Sequence, residues 1–357
     1  MRTRLTQLLE LELPLIQAPM AGVSTPQLAA AVSNAGALGS VAVGAMDAAS
    51  AQVAIVETMT LTDRPICVNV FVHQPPRRDA QIEARWLAAL APVFARFDAS
   101  PPAQLREIYR SFLDDAAMLE MLLATRPAAV SFHFGLPQPE KIAALKANGA
   151  ILLASATSVA EARMVEAAGI DVVVAQGIEA GGHFGAFTAD AAAGLPTMAL
   201  LPQIVGTVDI PVVAAGGIAD GSAIAAALNL GCAGAQLGTA FIGCPETLAS
   251  ADFRARLRSA GSLTRVTRAL SGRPARGIDN ALFAVLTGLT EQIPDYPLAY
   301  DATKALVAAA GQSDFSVMLA GAALASSREL PAADLVAILA EETAAALSKS
   351  ADLAGSD

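Results

Sequence analysis

Along the chain, short apolar runs alternate with longer stretches patterned for helices. The runs are Leu15–Pro19, Gly39–Gly44, Ile66–Val72, Ala129–Gly135, Ala150–Ala156, Asp171–Gly177, Ile210–Gly217 and Gly234–Ile242. Their wealth of Val, Ile, Leu and Ala is what strands of a parallel sheet need when helices cover them. The helices between them carry their own end signals. Thr25-Pro26 offers an N-cap followed by proline at the first helical position, and that helix stops at Gly36. Ser158 and Glu161 have capping-box spacing ahead of a helix that stops at Gly169, and Asp220 or Ser222 opens one that ends at Gly231. Eight strand–helix repeats predict an α/β fold, a (β/α)8 TIM barrel, with an open doubly wound sheet as the alternative.

Two stretches break the rhythm. Residues 74–127 are too many for one crossover helix and hold Trp86 and the Pro101-Pro102 break; a further long tail follows Glu246. Both are expected to be extra, mainly helical structure. That assigns 1–75, 125–245 and about 325–357 to the barrel, closed by an Ala-rich helix near Ala332–Leu347, and 76–124 and 246–324 to a lid/substrate domain. Loops that follow strands lie at the catalytic end of a barrel, so an insertion after the third strand is placed to cover a site.

Composition narrows the partners. At 357 residues and 54% apolar, the chain suits one large barrel plus an excursion, and aromatics are only 4%. A net charge of -10 without a basic cluster argues against nucleic acid, whose phosphates demand a basic face. Cys67, Cys232 and Cys244 have no metal-ligand spacing and read as small buried thiols in a reducing cytoplasm. The N-terminus, with Glu10 and Glu12, does not look like a signal peptide, and charged or glycine residues interrupt the Ala-rich stretches before they reach the ~20 apolar residues of a membrane span. No membrane or metal partner is expected, and a cytoplasmic location is.

The polar residues point to one end of the barrel. All three histidines, His73, His133 and His183, fall near or just past a strand's carboxyl end, where barrel active sites collect. A structural role remains open for each, and most of all for His73, as a cap or lid contact. Asn69 and Gln176 interrupt apolar strands; they serve either an internal polar network or the edge of a flat heterocycle. The turn from Ala215 to Gly221, AAGGIADG with its preceding alanine, and Gln236-Leu237-Gly238-Thr239 lie where this fold cradles phosphate. In Gln176–His183, Gly181 and Gly182 let backbone lie against a planar ligand and then present an imidazole, whose ordinary pKa suits it to accept a proton from a weak carbon acid.

Together, Ala18-Pro19-Met20-Ala21-Gly22, Asn69, QGIEAGGH from Gln176, AAGGIADG and QLGTAF resemble the nitronate monooxygenases, formerly 2-nitropropane dioxygenases, over about residues 14–246. SFHFG from Ser131 and SGRPARG from Ser271 point more narrowly to the bacterial class I type; the barrel motifs are shared with FMN-type enoyl-acyl-carrier-protein reductases and NADH:quinone reductases. The resemblance implies a bound FMN, met by Met20, Ala21, Gly22, Asn69, Gln176, Gly181 and Gly217, and by Gln236, Leu237, Gly238 and Thr239. Gly217 and the stretch from Gln236 to Thr239 would hold the phosphate end. It implies His183 as catalytic base, His133 as a polar contact over the flavin, and Tyr109, Tyr300 and Lys304 as lid residues for an anionic nitronate. The implied reaction uses O2 to turn alkyl nitronates, and more demandingly nitroalkanes, into carbonyl compounds and nitrite via a flavosemiquinone, a detoxifying role. A homodimer is compatible with the sequence.

Two other functions fit parts of the pattern. An NAD(P)H-dependent quinone or enoyl-thioester reductase would share the barrel motifs. A non-redox phosphate-ligand barrel would share the glycine turns, although the absence of lysine from the expected strands weakens a Schiff-base aldolase.

Overall fold

The computed structural model describes residues 1–189, 194–259 and 261–354. Strands β1 (Leu15–Gln17), β2 (Gly39–Ala42), β3 (Ile66–Phe71), β4 (Ala129–His133), β5 (Ile151–Ala156) and β6 (Val172–Gln176) come first in the chain. They are followed by β7 (Gly182–His183), β8 (Val212–Ala215), β9 (Gly234–Leu237), β10 (Thr264–Thr267) and β11 (Ala275–Ile278). Eight of these form a parallel sheet in the order β1-β9-β8-β6-β5-β4-β3-β2. Its two edges meet: Leu38 N–H donates to the Leu15 carbonyl and Gln17 N–H to the Leu38 carbonyl, both at 2.9 Å. The sheet is a closed TIM barrel.

Most strands end earlier than the apolar runs do. The last run splits at Gly238: β9 stops at Leu237, and Thr239–Ile242 is a turn of helix. An apolar run records burial, and a segment stays buried after its neighbour strand has left it. The helix caps at Thr25 and Asp220 form as expected, each side chain accepting from a backbone N–H three residues on. The box at Ser158 is only half made. Ser158 accepts from Glu161 N–H, but the Glu161 carboxylate turns to Thr157 and to the Phe187 N–H.

Alternation along each strand sorts the core into two layers. Val68, Val70, Val130, Phe132, Val173, Ala175, Ala235 and Leu237 pack outward against the helices. Ile16, Leu38, Cys67, Ala129, Leu153, Val172, Val174 and Val213 fill the barrel's interior, and Leu5 and Leu9 of the helix Arg4–Leu9 plug its floor. The C-terminal helix Ala332–Ala354, whose first residues include buried Leu335, Val336 and Leu339, packs on Gly221–Asn229 and Pro26–Asn34, completing the outer ring.

A second apolar core stands apart from the barrel. Trp86, Leu90 and Phe94 from the first insertion meet Leu282, Phe283, Leu298, Leu306 and Phe315 from the second. The 76–124 segment divides between the cores. The helix Ala80–Ala95 joins this one, whereas Met118, Met121 and Leu122 of Ala116–Thr125 join the barrel's outer core, so that helix is the crossover into β4. The second insertion is not purely helical either: β10 and β11 form a hairpin that pairs antiparallel with β7. No helix among the described residues is long and apolar enough to cross a membrane.

Candidate active site

The alternation that fills the lower barrel with apolar side chains turns polar at the strands' carboxyl ends. Two residues beyond Cys67, Ala129, Leu153, Val174 and Gly234 stand Asn69, Ser131, Ser155, Gln176 and Gln236, and His133 follows Ser131 on the same face. Asn69 Nδ2 donates to the Ser131 hydroxyl (2.9 Å) and carbonyl (3.2 Å). Gln176 Oε1 accepts from Gly185 N–H at 2.7 Å while its Nε2 donates to the His183 carbonyl at 3.4 Å. This network fixes both amides. Gln236 is only half-buried, although Ala235 and Leu237 on either side are fully buried.

Around this ring the backbone is rich in glycine turns. Gly216 and Gly217 follow β8 with φ of 106° and 70°, conformations that L side chains rarely adopt. A Cβ on Gly238 would lie 3.4 Å from Ala18 Cβ and 3.8 Å from Met20 Sδ, so the Met20 loop and the end of β9 enclose one cradle. Met20 is half-buried, and Ala21 and Gly22 are exposed. Two of the expected cofactor residues also serve the packing of the chain itself. Leu237 points its side chain into the outer core, and its carbonyl accepts from Ala18 N–H, because alternation places it opposite Gln236. Gly181 owes its missing side chain to the chain itself: a Cβ there would lie 2.5 Å from Gly321 N. That neighbouring strand of backbone is tied down by Gly321 N–H donating to Thr239 Oγ1 and Ala322 N–H to the Glu179 carbonyl, both at 2.9 Å.

Pairing of β7 with β11 sets His183 over the ring, in register with Ala275. Its Nε2 lies 2.7 Å from the Ser271 hydroxyl. His133 hydrogen-bonds Ser155 Oγ through Nδ1 (2.9 Å) and the His183 carbonyl through Nε2 (3.2 Å). Burial, with the charges of His133 and Arg273 adding to it, depresses the His183 pKa to about 3, and burial likewise takes His133 to about 4. Both imidazoles are neutral near physiological pH, as a proton acceptor must be. Arg273, itself lowered to about 10 by burial, donates from Nη1 to the Ala186 carbonyl and lies 4.6 Å from the Phe134 ring centre. Phe134 holds that place at a φ of 78°, strained for a bulky side chain.

The side formed by the two insertions brings the other expected residues together. Tyr300 is 5.8 Å from His183 and 6.0 Å from Tyr109 between ring centres, and Lys304 Nζ sits 5.1 and 5.6 Å from the Tyr109 and Tyr300 rings. A neutral imidazole, two phenols and an ammonium thus converge above a polar ring, an arrangement suited to holding a small anion or deprotonating a carbon acid. His73 stands apart. It is fully buried, edge-on to Tyr296 at 4.9 Å, and neither ring nitrogen has a hydrogen-bond partner. Ser131, Ser155, Ser271, Arg273 and Tyr296 were not singled out as site residues from the sequence. The first two follow from strand alternation; the others come from the second insertion, whose packing no local pattern records.

The family model for nitronate monooxygenase matches residues 2–342. The chain belongs to the nitronate monooxygenase family. It is 53% identical to a nitronate monooxygenase of Paraburkholderia phytofirmans over 95% of this chain and 94% of that one. It is 51% identical to a nitronate monooxygenase of Pseudomonas aeruginosa, covering 96% and 99%. Among solved structures, nitroalkane oxidase from Streptomyces ansochromogenes superposes with a TM-score of 0.88 at 42% identity, covering 97% of this chain and 99% of that one. FabK from Thermotoga maritima superposes at 0.77 with 28% identity, covering 99% of both. Nitronate monooxygenases are flavin-dependent, and the half-buried Gln236 amide beside the uncrowded backbone at Gly238 and Met20 fits such a group.

Proposed function

We propose that this chain is an FMN-dependent nitronate monooxygenase that oxidises alkyl nitronates with O2 to carbonyl compounds and nitrite, and accepts neutral nitroalkanes through an added deprotonation. The observation that carries the reading is the convergence of His183 with Tyr300, Tyr109 and Lys304 over the barrel's polar mouth. FMN, when bound, supplies the one-electron chemistry between substrate and oxygen. Asn69 and Gln176 would meet its ring, Met20 to Gly22 would flank it, and Gly217 with Gly238 and Thr239 would admit its phosphate. Lys304 sets a positive charge beside the phenols, which favours a nitronate anion over its neutral acid. His183 takes the α-proton of a neutral nitroalkane, and His133 holds the strand that carries His183. The second core, from the Ala80–Ala95 helix and the later insertion, serves as lid and substrate domain.

A reductase reading has its own support, in the likeness to FabK. The two separate on one FMN-loaded sample. Ethyl nitronate should drive oxygen uptake with nitrite release, and NADH mixed anaerobically should leave the flavin yellow. Rapid bleaching by NADH without nitronate-driven oxygen uptake would reverse the assignment.

A further inference from the structure

The segment SGRPARG turns β10 back into β11, and its first residue is aimed at His183. Ser271 is fully buried and surrounded by three polar contacts. His183 Nε2 lies 2.7 Å from its Oγ, Arg273 N–H lies 3.3 Å away, and the Arg273 carbonyl is also at 3.3 Å. A hydroxyl has one proton to donate and two lone pairs to accept with. The Arg273 amide can only donate and the Arg273 carbonyl can only accept. All three contacts are satisfied together in one way: Nε2–H of His183 and N–H of Arg273 donate to Oγ, and Oγ–H donates to the Arg273 carbonyl. The reverse arrangement, hydroxyl donating to Nε2, leaves the Arg273 carbonyl contact without a proton.

We infer that Ser271 is a positioning residue that holds His183 in its Nε2–H tautomer, making Nδ1 the atom that accepts the substrate proton. The inference rests on the reading of His183 as the base. Nδ1 makes no hydrogen bond to the described residues, so its lone pair is left for substrate. In the step it serves, the α C–H bond of a neutral nitroalkane breaks, the proton bonds to Nδ1, and the electron pair delocalises into the nitro group to give the nitronate. The imidazolium so formed keeps its Nε2–H bond to Ser271. Gly272 explains why the turn tolerates nothing bulkier beside it: its φ is 97°, and a Cβ would lie 2.6 Å from both the Pro294 carbonyl oxygen and Tyr296 N. The hairpin is thereby fixed against the lid, and the serine with it.

With only three histidines in the chain, ¹⁵N-histidine labelling of the FMN-loaded protein reads the tautomer directly. The His183 signal, identified by its loss in His183→Asn, should show a protonated Nε2 and a bare Nδ1 near neutral pH. In Ser271→Ala that preference should vanish, with nitroethane kcat falling about ten-fold while ethyl nitronate kcat stays within about two-fold. Ser271→Thr, which keeps the hydroxyl, should restore both. A protonated Nδ1 in the unsubstituted protein overturns the inference even if the alanine variant does not fold. So do equal losses on the two substrates. If His183→Asn itself fails to separate nitroethane from ethyl nitronate, the base reading falls first; if it separates them and Ser271→Ala does not, only the serine's role falls.

Discussion

At the scale of single residues, the site is built from neutral imidazoles held in apolar or aromatic surroundings. His73 shows the cost most plainly. Burial, reinforced by the nearby charge of Arg273, depresses its pKa to about 4, and the Tyr109 backbone, which offsets this in part, makes no well-formed bond to it. In the unfolded chain the same ring takes a proton at its ordinary value of 6.5. The unfolded state therefore binds more protons between those two values, and stability falls as pH drops from 6.5 through about 4, levelling below. His133 and His183 act in the same direction. His73→Phe removes one of these three contributions and two unpartnered buried nitrogens. The fall in Tm between about pH 7.5 and about pH 5 should be smaller in that variant. An unchanged fall would mean that His73 titrates normally in the folded protein.

At the scale of elements, the short β7 and the backbone at 320–322 matter more than their lengths suggest. Gly181 lets the two lie together, with no space for a methyl group between them. Gly181→Ala should push Gly321 off Thr239, cost about 1–3 kcal/mol in stability and loosen flavin retention on desalting. Full retention at an unaltered Tm would show that this contact is not structural. The same region marks what the sequence could and could not reveal. The eight strands, the caps at Thr25 and Asp220, and the polar mouth at Asn69, Gln176 and His183 were legible, because burial, capping and alternation are local patterns. The β7–β11 pairing was not, since a two-residue strand has no period. Nor was the division of 76–124, where Trp86 and Met118 are equally buried but in different cores. Nor was the outward turn of the Leu237 side chain, because membership of a motif says nothing about which face of a strand a side chain occupies.

At the scale of the whole molecule, the barrel supplies a floor sealed by Leu5 and Leu9 and a polar mouth; the insertions supply the aromatic and cationic cover. Family membership implies a nitronate substrate, and this cover is where the proposed function seats it. The remaining question is what His183 adds, because a nitronate arrives already deprotonated. Oxygen consumption by the FMN-loaded protein and its His183→Asn variant, on nitroethane and on ethyl nitronate, answers it. The variant should lose roughly a hundred-fold or more on nitroethane, the scale of a missing general base, and far less on ethyl nitronate. Equal losses on both substrates would contradict the account.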